Sequence, residues 1–121
     1  MSTFRRFEEI VAWQKARQVT QKVYSVTTAG IFSRDFGLRD QLRKASVSVM
    51  ANIAEGFGRR SDKEFANFLN IARGSASECQ SHLYVAIDLG YIKADEFEFL
   101  YAAFEECSKM ILGLSNHLRK G

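Results

Sequence analysis

A chain of 121 residues, 46% hydrophobic and 26% charged, is sized and balanced for one soluble globular domain, not for a disordered or fibrous chain. Its uncharged run from Ala45 to Ala54 is too short and polar to span a bilayer, and MSTFRRFEE at the start holds no apolar stretch to serve as a signal segment. The expectation is a cytoplasmic protein without a membrane partner. The net charge of +3 is unevenly placed: 13 Lys and Arg face 7 Asp and Glu from Met1 to Arg73, but 4 face 7 from Gly74 onward. That division predicts one basic surface, which attracts polyanions, and one acidic surface.

The chain holds no proline, so nothing interrupts a helix by the usual route. Four helices are predicted, over about 8–28, 34–56, 62–89 and 94–119. In the first, Ala12, Ala16, Val19, Val23 and Val26 recur at steps of four and three, one apolar stripe. Gly30 ends it, and Ser33 is the expected cap of the second helix, with Asp35 in its first turn. The second stripe is Leu38, Leu42, Ala45, Val49 and Ile53, closing at Gly56. Ser61-Asp62-Lys63-Glu64 is a capping box that opens the third helix, whose stripe runs from Phe65 through Leu69, Ala72, Ala76, Cys79 and Leu83 to Ala86. Gly90 stops it. Asp95, Glu96 and Glu98 suit the start of the fourth helix, and Arg119 and Lys120 its end. Joined by short turns, these helices form an all-α, antiparallel up-down four-helix bundle in a single domain.

The segment SVMANIAEGFGRRS, residues 48–61, carries more than a core stripe. Gln41, Ala45, Ser48, Asn52 and Glu55 stack on a second face of the same helix. Gly74, Ser75 and Glu78 repeat the theme on the third helix, where a mid-helix glycine, about 1 kcal/mol worse than alanine, suggests a close helix crossing. Three readings fit this seam: packing against a neighbouring helix of the same bundle, a subunit interface, or a small-molecule pocket at Asn52 and Glu55.

Arg39, Arg43, Lys44, Arg59, Arg60, Lys63 and Arg73 are the candidate nucleic-acid contacts. The bland alternative is a solvated, salt-bridged face with Asp40, Asp62 and Glu64 as partners. No groove-reading motif accompanies them, so binding would follow phosphate and shape. Phe4-Arg5-Arg6-Phe7 reads first as a staple for the first helix, and Trp13 as a residue at a bundle edge or subunit boundary. Cys79 and Cys107, without a CxxC pair, read as reduced core thiols; with His82 they lack a fourth ligand, so neither metal nor cofactor is expected. No nucleophile with its base, phosphate loop or convergent carboxylates is visible, and the expectation is a protein that is not an enzyme.

Trp13-Gln14-Lys15-Ala16, GLRDQLRKASVSVMANIAEGFGRRS from Gly37 and FANFLNIARGSASE from Phe65 together resemble the bacterial four-helix-bundle proteins named for 23S ribosomal RNA intervening sequences. That family includes the accessory variability determinant of diversity-generating retroelements. The resemblance implies a homopentameric ring with a basic surface that meets RNA or DNA and, in the retroelement branch, a reverse transcriptase as partner. Serine at 33 and methionine at 50 stand where the family often has proline; the first departure is expected to alter the turn into the second helix, and the second should leave that helix straighter. A structural or protein-interaction scaffold with no nucleic-acid role is the alternative.

Overall fold

The computed structural model describes residues 4–120. Four helices, α1 (Val11–Thr28), α2 (Phe36–Phe57), α3 (Asp62–Asp88) and α4 (Ala94–Lys120), are joined by short turns, and two 3₁₀ turns, Phe7–Glu9 and Ile31–Arg34, precede α1 and α2. Among the described residues there is no strand. The main contacts run α1 to α2, α2 to α3, α3 to α4 and α4 back to α1, so each helix has two neighbours around a shared core. Neighbours are antiparallel, because residue numbers rise on one helix as they fall on the next. Thr20 meets Ser46 while Thr27 meets Arg43, and Tyr84 packs on Phe97 while Gln80 reaches Glu105.

The stripes read from the sequence are the ones that close the core. Val23, Leu42, Val49, Ile53, Leu69, Leu83, Leu100 and Ile111 are wholly buried. Each such side chain contributes about 1.5–3 kcal/mol, against under about 1 kcal/mol for an exposed ion pair, so this core decides the fold. Surface pairs such as Lys15 with Glu106, 3.3 Å apart across α1 and α4, refine it.

Two helix starts differ from the sequence expectation. α1 begins at Val11, not near residue 8, because Ile10 is extended (φ −75°, ψ 119°) and buried in the core. Sinking that side chain interrupts the helical path after the first 3₁₀ turn. α2 begins at Phe36 and is capped by Asp35, whose Oδ1 accepts the Leu38 N–H at 3.1 Å. The expected cap, Ser33, lies in the second 3₁₀ turn and donates instead to the Gly30 carbonyl at 2.6 Å. Asp35 is held for the task by a third element: the Tyr91 hydroxyl donates to its other oxygen at 2.9 Å, and the Tyr91 ring packs on Phe32. The capping box at α3 has its serine as cap, with Ser61 Oγ accepting the Glu64 N–H at 3.2 Å.

The close helix approach falls at Gly56, not at Gly74. A Cβ on Gly56 would sit 2.7 Å from Phe68 Cβ and 2.9 Å from Phe65 Cδ1, so only glycine lets α2 end against the first turns of α3. A Cβ on Gly74 would meet nothing within 4 Å, and the residue is exposed.

Candidate nucleic-acid interface and polar seam

An antiparallel bundle sorts its charges by end. The start of α1, the end of α2, the start of α3 and the end of α4 share one end; the 3₁₀ turn at Phe7–Glu9 contacts α2, and Phe4, Ile10 and Val11 line a hollow with Met110 and Leu114 of α4. Arg5, Arg6, Arg59, Arg60, Lys63, Arg119 and Lys120 therefore gather there, among Glu8, Glu9, Glu55, Asp62 and Glu64. The opposite end holds the α1–α2 turn with Arg34, Asp35, Arg39 and Asp40, and the α3–α4 turn with Asp88, Lys93, Asp95, Glu96 and Glu98, so carboxylates outnumber cations there.

The seven basic residues singled out from the sequence fall into three places. Arg59, Arg60 and Lys63 sit at the α2–α3 turn. Arg59 Nη2 pairs with Glu55 Oε2 at 2.8 Å, and its guanidinium lies 4.6 Å from the Phe68 ring centroid. Arg60 and Lys63 are exposed and have no side-chain partner among the described residues. Arg39, Arg43 and Lys44 lie toward the other end of α2, sixteen residues or about 24 Å from Arg43 to Arg59 at about 1.5 Å per residue. Two of them are structural. Arg43 donates from Nε to Thr27 Oγ1 at 2.8 Å and from Nη2 to Thr28 Oγ1 at 3.4 Å, stacks over Tyr24, and so joins α2 to the last turn of α1, where a cation suits the helix dipole. Arg39 donates to the Ser33 carbonyl and to Asp40, each at 2.9 Å. Lys44 is exposed. Arg73 lies midway along α3 and faces α4.

The seam divides as well. Asn52 Nδ2 donates to the Ser48 carbonyl at 2.8 Å and to Ser48 Oγ at 2.9 Å, and Ser75 Oγ donates to Ser48 Oγ at 2.9 Å. These three groups tie α2 to α3 within one chain. Gln41, Glu55 and Glu78 are exposed; Glu55 holds Arg59, and Glu78 Oε2 lies 3.3 Å from His82 Nε2. Ala51, Ala54 and Gly58 open a shallow hollow of about 540 Å³ beside the Glu55–Arg59 pair.

Two polar contacts escaped the sequence reading. Thr20 Oγ1 lies 2.8 Å from both the Ala16 carbonyl and Ser46 Oγ, a buried pair that joins α1 to α2. Asp35 with Tyr91 is the other. The signal for the first was a threonine four residues after Ala16 on the apolar stripe, which reads equally as a filler of small volume.

Cys79 and Cys107 are buried free thiols. Burial away from water pushes both up, Cys107 to about 11 and Cys79 higher still, so neither supplies a thiolate at neutral pH. Among the described residues no three His, Cys, Asp or Glu side chains gather as metal ligands, and no helix is long and apolar enough to cross a membrane.

The fold thus defines an all-α four-helix bundle with a cationic end and a hydrogen-bonded seam between its second and third helices. The chain belongs to the 23S rRNA-intervening sequence protein family, whose model matches residues 8–113. The crystal structure of a Bacteroides thetaiotaomicron protein of unknown function, from the S23 ribosomal protein family, is similar in fold. It has a TM-score of 0.81 and 23% sequence identity over 88% of this chain and 96% of that one. Among curated proteins, none matches this chain.

Proposed function

We propose that this chain is a non-catalytic helical bundle that assembles with copies of itself, as a homopentamer, and holds RNA or DNA through phosphate and shape. The contact falls at the bundle end built from Arg59, Arg60 and Lys63, with Arg5, Arg6, Arg119 and Lys120 around them. The observation that carries this reading is the unpaired state of Arg60 and Lys63: neither has a side-chain partner among the described residues, so both are available to phosphate oxygens. Membership of a family named for a ribosomal RNA insert supports an RNA partner. In a retroelement setting, a reverse transcriptase would be the protein that receives the bound nucleic acid. Self-assembly is supported by the outer faces of α2 and α3, which leave Val47 and Ile71 exposed beside small residues such as Ala51 and Gly74.

Labelled RNA or duplex DNA should shift in a gel at about 50 mM salt, with log affinity falling linearly against log salt by about 0.7–0.9 per phosphate contact. Changing Arg59 and Arg60 together to alanine should flatten that slope by one to two such contacts per chain. Binding that is absent at low salt removes the nucleic-acid reading and leaves the scaffold, whereas binding unchanged in this variant removes the site at Arg59 and Arg60. Light scattering that returns a single-chain mass of 13.7 kDa removes the pentamer.

A further inference from the structure

The groove between α3 and α4 presents a ladder of polar groups that the proposed contact at the bundle end does not use. Gln80 fixes its register by donating from Nε2 to the Tyr101 carbonyl at 3.3 Å and to Glu105 Oε1 at 3.1 Å. One turn back along α3 is one turn forward along α4, which sets Ser77 opposite Ser108, and Arg73 opposite Lys109 and Leu112. These seven side chains, with the hydrogen-bonded Gln80–Glu105 pair closing one end, line a cavity of about 320 Å³.

Its donors are idle. Arg73 Nε is buried without a hydrogen-bond partner, and Arg73, Lys109, Ser77 and Ser108 make no side-chain hydrogen bond or ion pair among the described residues. A buried donor left unmet costs about 1–3 kcal/mol. Two cations at one end of a partly enclosed groove, facing one carboxylate already engaged by Gln80, favour an anion there over water.

The geometry points to a binding site for a sugar phosphate: the phosphate lies against Arg73 and Lys109, and the sugar hydroxyls meet Ser77, Ser108 and Glu105. Phosphate demands donors alone, which the Arg73 end supplies. A hydroxyl that donates needs an acceptor, and Glu105 provides one at the far end, roughly 10 Å along the helix from Arg73 at about 1.5 Å per residue. A free nucleoside monophosphate and one unit of an RNA strand share this chemistry. The inference stands apart from the proposed contact at Arg59 and Arg60, and neither requires the other.

The test is titration of the full chain, followed by amide chemical shifts, with inorganic phosphate, with a 5′-nucleoside monophosphate and with a short single-stranded RNA. The expected result is saturable movement of the Arg73, Ser77, Ser108 and Lys109 signals. Arg73→Gln and Lys109→Gln should each weaken binding about ten-fold or more, with the helical circular dichroism unchanged. Arg59→Ala with Arg60→Ala should leave mononucleotide binding within about two-fold, because those residues lie at another place on the bundle. Arg73-dependent binding of the mononucleotide assigns a free ligand, and Arg73-dependent binding of RNA alone assigns a strand. Arg73→Lys separates charge from geometry: it keeps the cation and loses the buried Nε donor, so it should recover only part of the affinity. If no probe binds in an Arg73-dependent way, or if neither the mononucleotide nor the RNA binds tighter than inorganic phosphate, the assignment is overturned. Loss of RNA binding only in the Arg59 and Arg60 variant, with no probe sensitive to Arg73, would leave the proposed function standing and this site refuted.

Discussion

Gly56 and Gly74 carry the same side chain and opposite consequences. Alanine at 56 would drive a methyl group to 2.7 Å from Phe68 Cβ and 3.1 Å from the Phe65 carbonyl. Overpacking of that kind costs about 1–3 kcal/mol and should outweigh the gain in helix propensity. Alanine at 74 meets open space and gains up to about 1 kcal/mol, so a single chain should melt a few degrees higher. The two variants compared by thermal unfolding check both statements. Should Gly74→Ala also weaken self-association, the glycine is the contact between copies that it is not within one chain.

The thiols report on the core. Because burial favours the neutral form of Cys107, the unfolded chain releases that proton near its ordinary value of 9.0 while the folded chain keeps it to about 11. Stability from this group is therefore complete below about pH 9 and declines as pH rises from there toward 11. Urea midpoints at pH 8 and pH 10 should fall further apart in the parent protein than in Cys107→Ala. Native protein should react slowly with thiol reagents until it is unfolded.

The turns are set by caps, and the caps differ in what supports them. Ser61 acts within its own turn, so Ser61→Ala should cost about 1 kcal/mol. Asp35 serves two elements, capping α2 through Oδ1 and receiving the Tyr91 hydroxyl through Oδ2. Its loss to alanine should cost about 2 kcal/mol, the cap and a hydrogen bond to a charged group together. Tyr91→Phe should cost about 1 kcal/mol, and the double variant little more than Asp35→Ala, since both remove the same bond. Denaturant unfolding of the three variants checks this. Thr20 and Ser46 are coupled in the same way across α1 and α2. Thr20→Val leaves the Ser46 hydroxyl buried without that partner and should cost more than Thr20→Val with Ser46→Ala.

The up-down topology turns a modest charge imbalance along the chain into a polarised molecule. Arg5 and Lys120 are separated by nearly the whole sequence, yet both lie at the end where Arg59, Arg60 and Lys63 sit. Arg43, only 16 residues from Arg59, lies toward the other end and is spent on Thr27 and Thr28. Arg43→Ala should therefore lower stability more than it lowers nucleic-acid affinity, whereas Arg60→Ala with Lys63→Ala should do the reverse. Thermal melting and gel shifts on the same preparations separate the two.

The helices and their inward faces were legible before any coordinates, because hydrophobic spacing is a local property: Leu42, Val49 and Ile53 share a side of α2 whatever lies opposite. The Ser61 cap was legible for the same reason, since its bond spans three residues. In the sequence Ser33 reads as the cap and Asp35 only as a first-turn charge, because nothing local shows that Tyr91, 56 residues further along, holds the Asp35 carboxylate. Which arginines are free, which glycine is crowded, and which polar groups on Ser48, Asn52 and Glu55 face a neighbour were settled by tertiary contact alone. Each depends on what another helix brings alongside, and spacing within one helix carries no record of its partner.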